Sequence, residues 1–309
     1  MWMIPRQNQS WVSEFILLGF SRDPTTNSFL FTVFFLIYLS SVMGNGLIII
    51  LVCIDTQLHT PMHFFLCILP LLYMDYVTTT MPQMLVHLLA KSQRISFSDC
   101  WLQMYVFGAL AFTECILFVV MAYDRYVANC FSLHYTVILK WTLCLWLAAE
   151  SWVCDFPSAL LHTFFTMSLP YCGPNKVNHY FCEGPAVRSL ACMDTHLIEM
   201  VDIVLSVFVI LTPISLIVAS YVHIDKAILK IKSTQACRKA FSTCASHLIV
   251  VSFFYGPGTY IYMRPNSRYS PSLFYNVFTT LLNPVVYSLR NKDNKRAFLK
   301  VIWYGRLDC

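Results

Sequence analysis

Charge is scarce in this chain. Of its 309 residues, 57% are hydrophobic, 16% aromatic and only 12% charged, where an ordinary soluble domain carries about 25% charged residues. With a mean hydropathy of +0.60, this composition excludes a disordered protein, a soluble globular enzyme and a small secreted disulfide scaffold. The 13 cysteines contain no closely spaced Cys-x-x-Cys pair, which argues against a zinc site even though His179 stands near Cys182. The N-terminal stretch is interrupted by Pro5, Arg6, Asn8, Glu14, Arg22 and Asp23. It has no compact apolar run with a small-residue cleavage site, so a cleaved signal peptide is not expected. No Ser-His or His-Glu-x-x-His set appears, and no internal inverted repeat is evident. These absences count against an enzyme and leave a membrane transporter or channel as the weaker alternative of another class.

What the chain has is long apolar runs. A bilayer core ~30 Å thick takes about 20 helical residues to cross. Such runs lie at 29–54, 61–86, 100–128, 142–165, 197–222, 240–262 and 271–289. An outer-membrane barrel would instead show ~10-residue segments of alternating polarity. The expected fold class is therefore an all-α membrane protein, a seven-transmembrane helix bundle. Residues 1–28 form an extracellular N-terminal segment, 29–289 the bundle and 290–309 a cytoplasmic tail. Ala297, Phe298, Val301 and Ile302 lie among basic residues in that tail, as in a short amphipathic helix on the membrane surface.

Basic residues fix the orientation, because Lys and Arg are retained on the cytoplasmic side. With the N-terminus outside, 13 of the 21 Lys and Arg residues fall inside and 8 outside, although the first inner loop carries none. On this topology the sequon Asn8-Gln9-Ser10 faces the compartment where glycosylation occurs. Cys100, Cys172, Cys182 and Cys192 all lie on the oxidising side, where four cysteines allow three pairings. Cys53, Cys67, Cys115, Cys130, Cys144, Cys154 and Cys244 lie in spans or at their inner ends and read as small packing residues.

The third run ends in Met121-Ala122-Tyr123-Asp124-Arg125-Tyr126-Val127-Ala128. Leu58-His59-Thr60-Pro61-Met62 enters the second run, Lys239-Ala240-Phe241-Ser242-Thr243-Cys244 enters the sixth, and Asn283-Pro284-Val285-Val286-Tyr287-Ser288-Leu289-Arg290-Asn291 closes the seventh. Gly44-Asn45 and Ser220-Tyr221 stand in the first and fifth. Together, in this order, the segments resemble the olfactory (odorant) receptors of the rhodopsin-like, class A G-protein-coupled receptor family. The resemblance implies a receptor of the plasma membrane of olfactory cilia. Its implied partners are a small volatile odorant, a heterotrimeric G protein of the olfactory stimulatory type that raises cAMP, and membrane lipids. It implies no nucleic acid, no enzyme activity, no metal and no cofactor. It also implies the pairings Cys100–Cys182 and Cys172–Cys192.

Phe107, Gly108, Ala111, Phe112 and Cys115 share one face of the third span. Leu205, Ser206 and Val209 in the fifth span, with Tyr255, Gly258, Thr259 and Tyr262 in the sixth, align with odorant-pocket positions of similar receptors. Such a pocket is mostly apolar with a few hydroxyls, suited to dispersion and one or two hydrogen bonds. Phe107 occupies the position where an aminergic receptor would carry an acid. For each of these residues, plain helix packing is the competing reading.

By the same resemblance, Asp124, Arg125 and Tyr126 form a switch. Arg125 pairs with Asp124 at rest, then meets Tyr221 and the G protein when the sixth span swings outward. The competing reading makes Arg125 an interfacial anchor that snorkels to the headgroups. Asn283, Pro284 and Tyr287 combine a helix breaker with a carbonyl left free, giving a kink that either rearranges in signalling or is static. The inner basic surface can dock a G protein or attract anionic lipid.

Several positions depart from the family pattern. Glu114 is an intramembrane carboxyl, expected to face an acid in the second span, but Tyr73 stands there. Asp75, two residues on, points about 200° away around the helix, which puts a sodium or water cluster in doubt. Ser132 and Thr280 stand where proline is usual, Asn129 where an apolar residue is usual, and Glu150 and Asp155 add acids to the fourth span. These departures keep open a second reading, a folded but weakly coupled or non-signalling receptor-like protein.

Overall fold

The computed structural model describes residues 12–19, 23–90, 93–172, 174–230, 234–263, 279–281 and 296. Its long helices are α1 (Pro24–Ile54), α2 (Pro61–Leu89), α3 (Phe97–Cys130), α5 (Trp141–Met167), α7 (His196–Ile228) and α8 (Thr234–Met263), with short helices α4 (Tyr135–Ile138) and α6 (Gly184–Arg188) between them. Five of these are long and apolar enough to cross a membrane by themselves. A sixth span is formed when the segments Ser132–Ile138 and Trp141–Met167, bent by 67° at their junction, are taken together. The expected seventh span and tail helix fall mostly outside the described residues, as do Asn8, Asn283, Pro284 and Tyr287.

The helix starts follow from local chemistry. The Asp23 carboxylate accepts from the Thr26 amide at 2.9 Å and is followed by Pro24, so a cap and a preset φ begin α1 five residues before the expected run at 29. Thr60-Pro61 does the same for α2. Ser96 caps α3 through the Asp99 amide at 3.0 Å. Hence α2 and α3 begin where their capping residues stand.

α3 is the central helix, packing against α2, α5, α7 and α8, while α1 packs on α2. In a bilayer, lipid tails are as apolar as leucine, so helix association depends on close packing and interhelical hydrogen bonds. Phe65, Leu69, Leu72, Tyr73, Leu117 and Phe118 are fully buried at the centre of this packing.

A second, smaller core caps the outer end. β1 (Glu14–Leu17) lies between antiparallel β2 (Arg94–Ser96) and parallel β3 (Lys176–Val177), with Phe15 opposite Ile95 and Ile16 opposite Lys176. Phe15, Leu17, Ile95, Cys100, Met104 and Val177 are packed beneath it. The residue expectations did not include this sheet, because its strands are two to four residues long and come from three distant segments. Gly19 permits the close crossing after β1, since a Cβ there would sit 2.5 Å from the Tyr180 backbone nitrogen.

Candidate functional site

At the outer end, Cys100 and Cys182 are disulfide-bonded with Cα atoms 5.3 Å apart, and Cys172 and Cys192 with Cα atoms 5.5 Å apart. The first bond ties the segment after α5 to the top of α3. Gln103, one turn below, strengthens that tie. Its amide nitrogen donates to the Thr79 carbonyl and to Gln83 Oε1, both at 2.9 Å, while its oxygen accepts from the Cys182 amide at 2.9 Å. His179 is buried in this segment against Phe181 and Glu183. Burial pushes its ring below the ordinary 6.5, and Glu183 opposes that shift.

The candidate ligand residues divide into two groups. Phe107 is buried between the rings of Tyr76 and Phe181, with centroids 5.3 and 4.9 Å away. Ala111 packs against the main core and Cys115 is buried in it. The Cys115 carbonyl accepts from the Tyr255 hydroxyl at 3.4 Å, linking α3 to α8. On α7, Ser206 and Val209 are half-buried and lie along the helix face that continues through buried Ile210, Ile217 and Tyr221. Leu205 does not join them, because it is 54% exposed on the outer side of α7. A Cβ at Gly108 would stand 3.8 Å from the Ala159 methyl of α5. Phe112 and Gly258 are half-buried. The half-buried Thr259 hydroxyl donates to the Tyr255 carbonyl of its own helix at 2.6 Å. The Tyr262 side chain lies outside the described residues.

Halfway down, the Tyr73 hydroxyl donates to Glu114 Oε1 at 2.5 Å, with both residues buried, and Tyr76 stands beside the same carboxyl. Asp75 is on the exposed face of α2. A phenol therefore occupies the place of the expected second acid. Near α1, the Asn45 amide donates to the Ser41 carbonyl at 2.9 Å and to the Thr280 carbonyl at 3.3 Å. Glu150 is exposed.

At the inner end of α3, Arg125 is only 7% exposed. Its guanidinium meets Asp124 at 3.7 Å, and Asp124 also accepts from the Tyr135 hydroxyl of α4 at 2.7 Å. Tyr221 does not bond Arg125. Its hydroxyl pairs with His247 Nδ1 at 2.8 Å, bridging α7 and α8. Tyr126 is half-buried, edge-on to Phe131 and His223. His247 and Tyr135 were not among the residues expected here. An imidazole inside an apolar run, three residues after Cys244, is the available signal for the first. Nothing in the spacing marks the second.

The comparisons with known proteins agree with this arrangement. A family model described as "Olfactory receptor" matches residues 34–304. The chain belongs to the olfactory receptor family. It is 46% identical to Olfactory receptor 2A12 of Homo sapiens over 97% of this chain and 98% of that protein. It is 44% identical to the human Olfactory receptor 2A5 over 97% and 99%, and 45% identical to Olfactory receptor 2A7 of Mus musculus over 96% and 97%. This olfactory receptor is thus a multi-pass protein of the plasma membrane with the seven-transmembrane helical fold, and a receptor in kind. No group of three or more metal-ligating side chains occurs among the described residues.

Proposed function

We propose that this receptor binds a small, largely apolar volatile molecule between α3, α7 and α8 and activates the olfactory stimulatory G protein, raising cAMP in olfactory cilia. Phe107, Ala111, Phe112, Cys115, Ser206, Val209 and Tyr255 form the ligand face in this reading, with Gly258, Thr259 and Tyr262 nearer its mouth. Residues 1–28, glycosylated at Asn8, lie outside, 29–289 form the receptor domain and 290–309 the tail. The observation that carries the reading is that one set of helices holds both ends. Tyr255 of α8 meets the Cys115 carbonyl of α3 at 3.4 Å, and farther in His247 of α8 meets Tyr221 of α7 at 2.8 Å. A ligand that competes for the Tyr255 hydroxyl shifts α8 against α3. The inner end of α8 then moves away, Tyr221 exchanges partners, and Arg125 leaves Asp124 for the G protein. Differential ligand affinity for the two arrangements drives the change.

The test is cAMP accumulation in cells co-expressing the olfactory G protein and a trafficking chaperone, across an odorant panel. The expected result is a response that Arg125→Ala abolishes at matched surface level. A second reading, a folded but weakly coupled receptor, is favoured by Tyr73 sealing Glu114. Surface expression with no response in several independent panels would select it, and Tyr73→Asp is then the variant expected to gain coupling.

A further inference from the structure

A polar cluster lies at the outer ends of α5, α6 and α7, apart from the residues used above. Arg188 ends α6 and is 7% exposed. Its guanidinium reaches the Asp202 carboxylate of α7 at 2.5 Å, the Thr166 hydroxyl of α5 at 3.1 Å and His162 Nε2 of α5 at 3.4 Å. His162 Nε2 also lies 3.5 Å from the other Asp202 oxygen. Gly184 makes room for the approach, since a Cβ there would stand 3.3 Å from the His162 ring and 3.4 Å from the Arg188 guanidinium.

This cluster fastens a segment that is otherwise anchored elsewhere. Cys182 ties it to α3, and the Cys172–Cys192 bond closes it on itself. Arg188–Asp202 is the ion pair among the described residues that joins it to α7. Asp202 and Ser206 are four residues apart and Asp202 and Val209 seven, so all three share a face of α7. The anchored carboxylate thus stands about one turn above Ser206 and two above Val209 on that face. A buried ion pair adds little net stability against apolar packing, but removing one partner strands the other charge. Such a pair sets one geometry and resists any other.

We propose that Arg188, Asp202 and His162 form a latch that clamps the segment after α5 onto α5 and α7, positioning Ser206 and Val209 and closing their face to outside water. Arg188 and Asp202 are positioning residues in this scheme. The proposal rests on the ligand-site reading only for its choice of Ser206 as reporter.

The experiment uses the full-length receptor on intact cells with Ser206→Cys and a charged, membrane-impermeant methanethiosulfonate reagent, with the protein lacking that substitution as blank. No odorant enters, so failure here and failure of the odorant reading are separate results. Arg188→Gln and Asp202→Asn are expected each to raise the modification rate at position 206 at least about tenfold, as expected for local opening of a clamped segment. The swapped pair Arg188→Asp with Asp202→Arg is expected to bring the rate back within about twofold of the parent. Thr166→Val and His162→Gln remove single contacts and are expected to raise it about two- to threefold. An unchanged rate in the single-charge variants at equal surface level, or no restoration by the swap, would overturn the latch. Where the single-charge variants do not reach the surface, the swap is read by surface level. Recovery supports pairing, and continued absence of the swap, or an unchanged rate in Thr166→Val and His162→Gln, overturns it.

Discussion

At the outer end of α3, Cys100 is covalently bonded to the segment after α5, Gln103 holds that segment by one hydrogen bond and α2 by two more, and a three-stranded sheet covers the junction. At the inner end of the same helix, Arg125 meets Asp124 at 3.7 Å, Tyr135 donates to Asp124 at 2.7 Å, and Tyr221 pairs with His247 at 2.8 Å. The outer contacts include a covalent bond and backbone strand pairs, which cannot exchange partners without unfolding. The inner ones are side-chain contacts between neighbours able to form others. A helix held fast at one end and by exchangeable bonds at the other can turn a small displacement near the proposed ligand face into a larger one at the proposed G-protein face. The difference between the ends supplies a physical basis for the proposed switch.

The largest expected effect breaks the fastened end. Cys100→Ser removes a crosslink spanning 82 residues of sequence, and the expected cost is about 2–5 kcal/mol. Flow cytometry of the tagged receptor should show surface expression nearly lost, and normal surface levels would mean the outer fastening is dispensable.

Next comes the exchangeable end. Asp124→Asn weakens the hold on Arg125 while keeping an acceptor for Tyr135, and the expected gain for the freed state is about 1–2 kcal/mol. Ligand-free cAMP should rise several-fold at matched surface level. Basal signalling equal to that of the parent would make Arg125 an anchor.

Between the two ends, Tyr73→Phe removes only the hydroxyl that donates to Glu114. Leaving that buried carboxyl without its donor is expected to cost about 1–3 kcal/mol, read as a lower thermal midpoint of the detergent-solubilised receptor. An unchanged midpoint would show that Tyr76 alone satisfies Glu114.

The smallest effect concerns pH at the outer cap. Burial lowers the His179 ring below its ordinary 6.5, so the unfolded segment binds the proton more readily than the folded one. The contribution of neutral His179 is complete above the unfolded value and declines as pH falls from 6.5 towards the folded value. Amide protection factors in the 176–183 segment, taken against the intrinsic rate at each pH, should fall between pH 7.4 and 5.5, and His179→Gln should flatten that dependence. A parent and variant with the same profile would remove His179 from the account.

Much of the frame was legible in the residues. Apolar runs mark the spans because the bilayer sets their length, and Thr60-Pro61 marks the start of α2 because a hydroxyl cap and a fixed φ act within one turn. Helical geometry likewise turns Asp75 away from the position held by Tyr73. The pattern was less informative about contacts between segments. Leu205 and Ser206 are adjacent, and only the packing of α7 exposes the first while turning the second along the inner face. The pairing of Tyr221 with His247, 26 residues away, has no local trace.

Composition, periodicity and contiguous motifs were enough to read the membrane class, the order of the spans and the family. Folding in three dimensions is what brings β1 between strands from two distant segments, Tyr73 to Glu114 and Arg188 to Asp202. Those contacts depend on which faces of separate helices meet, and interhelical geometry is set by side-chain packing that no single segment encodes.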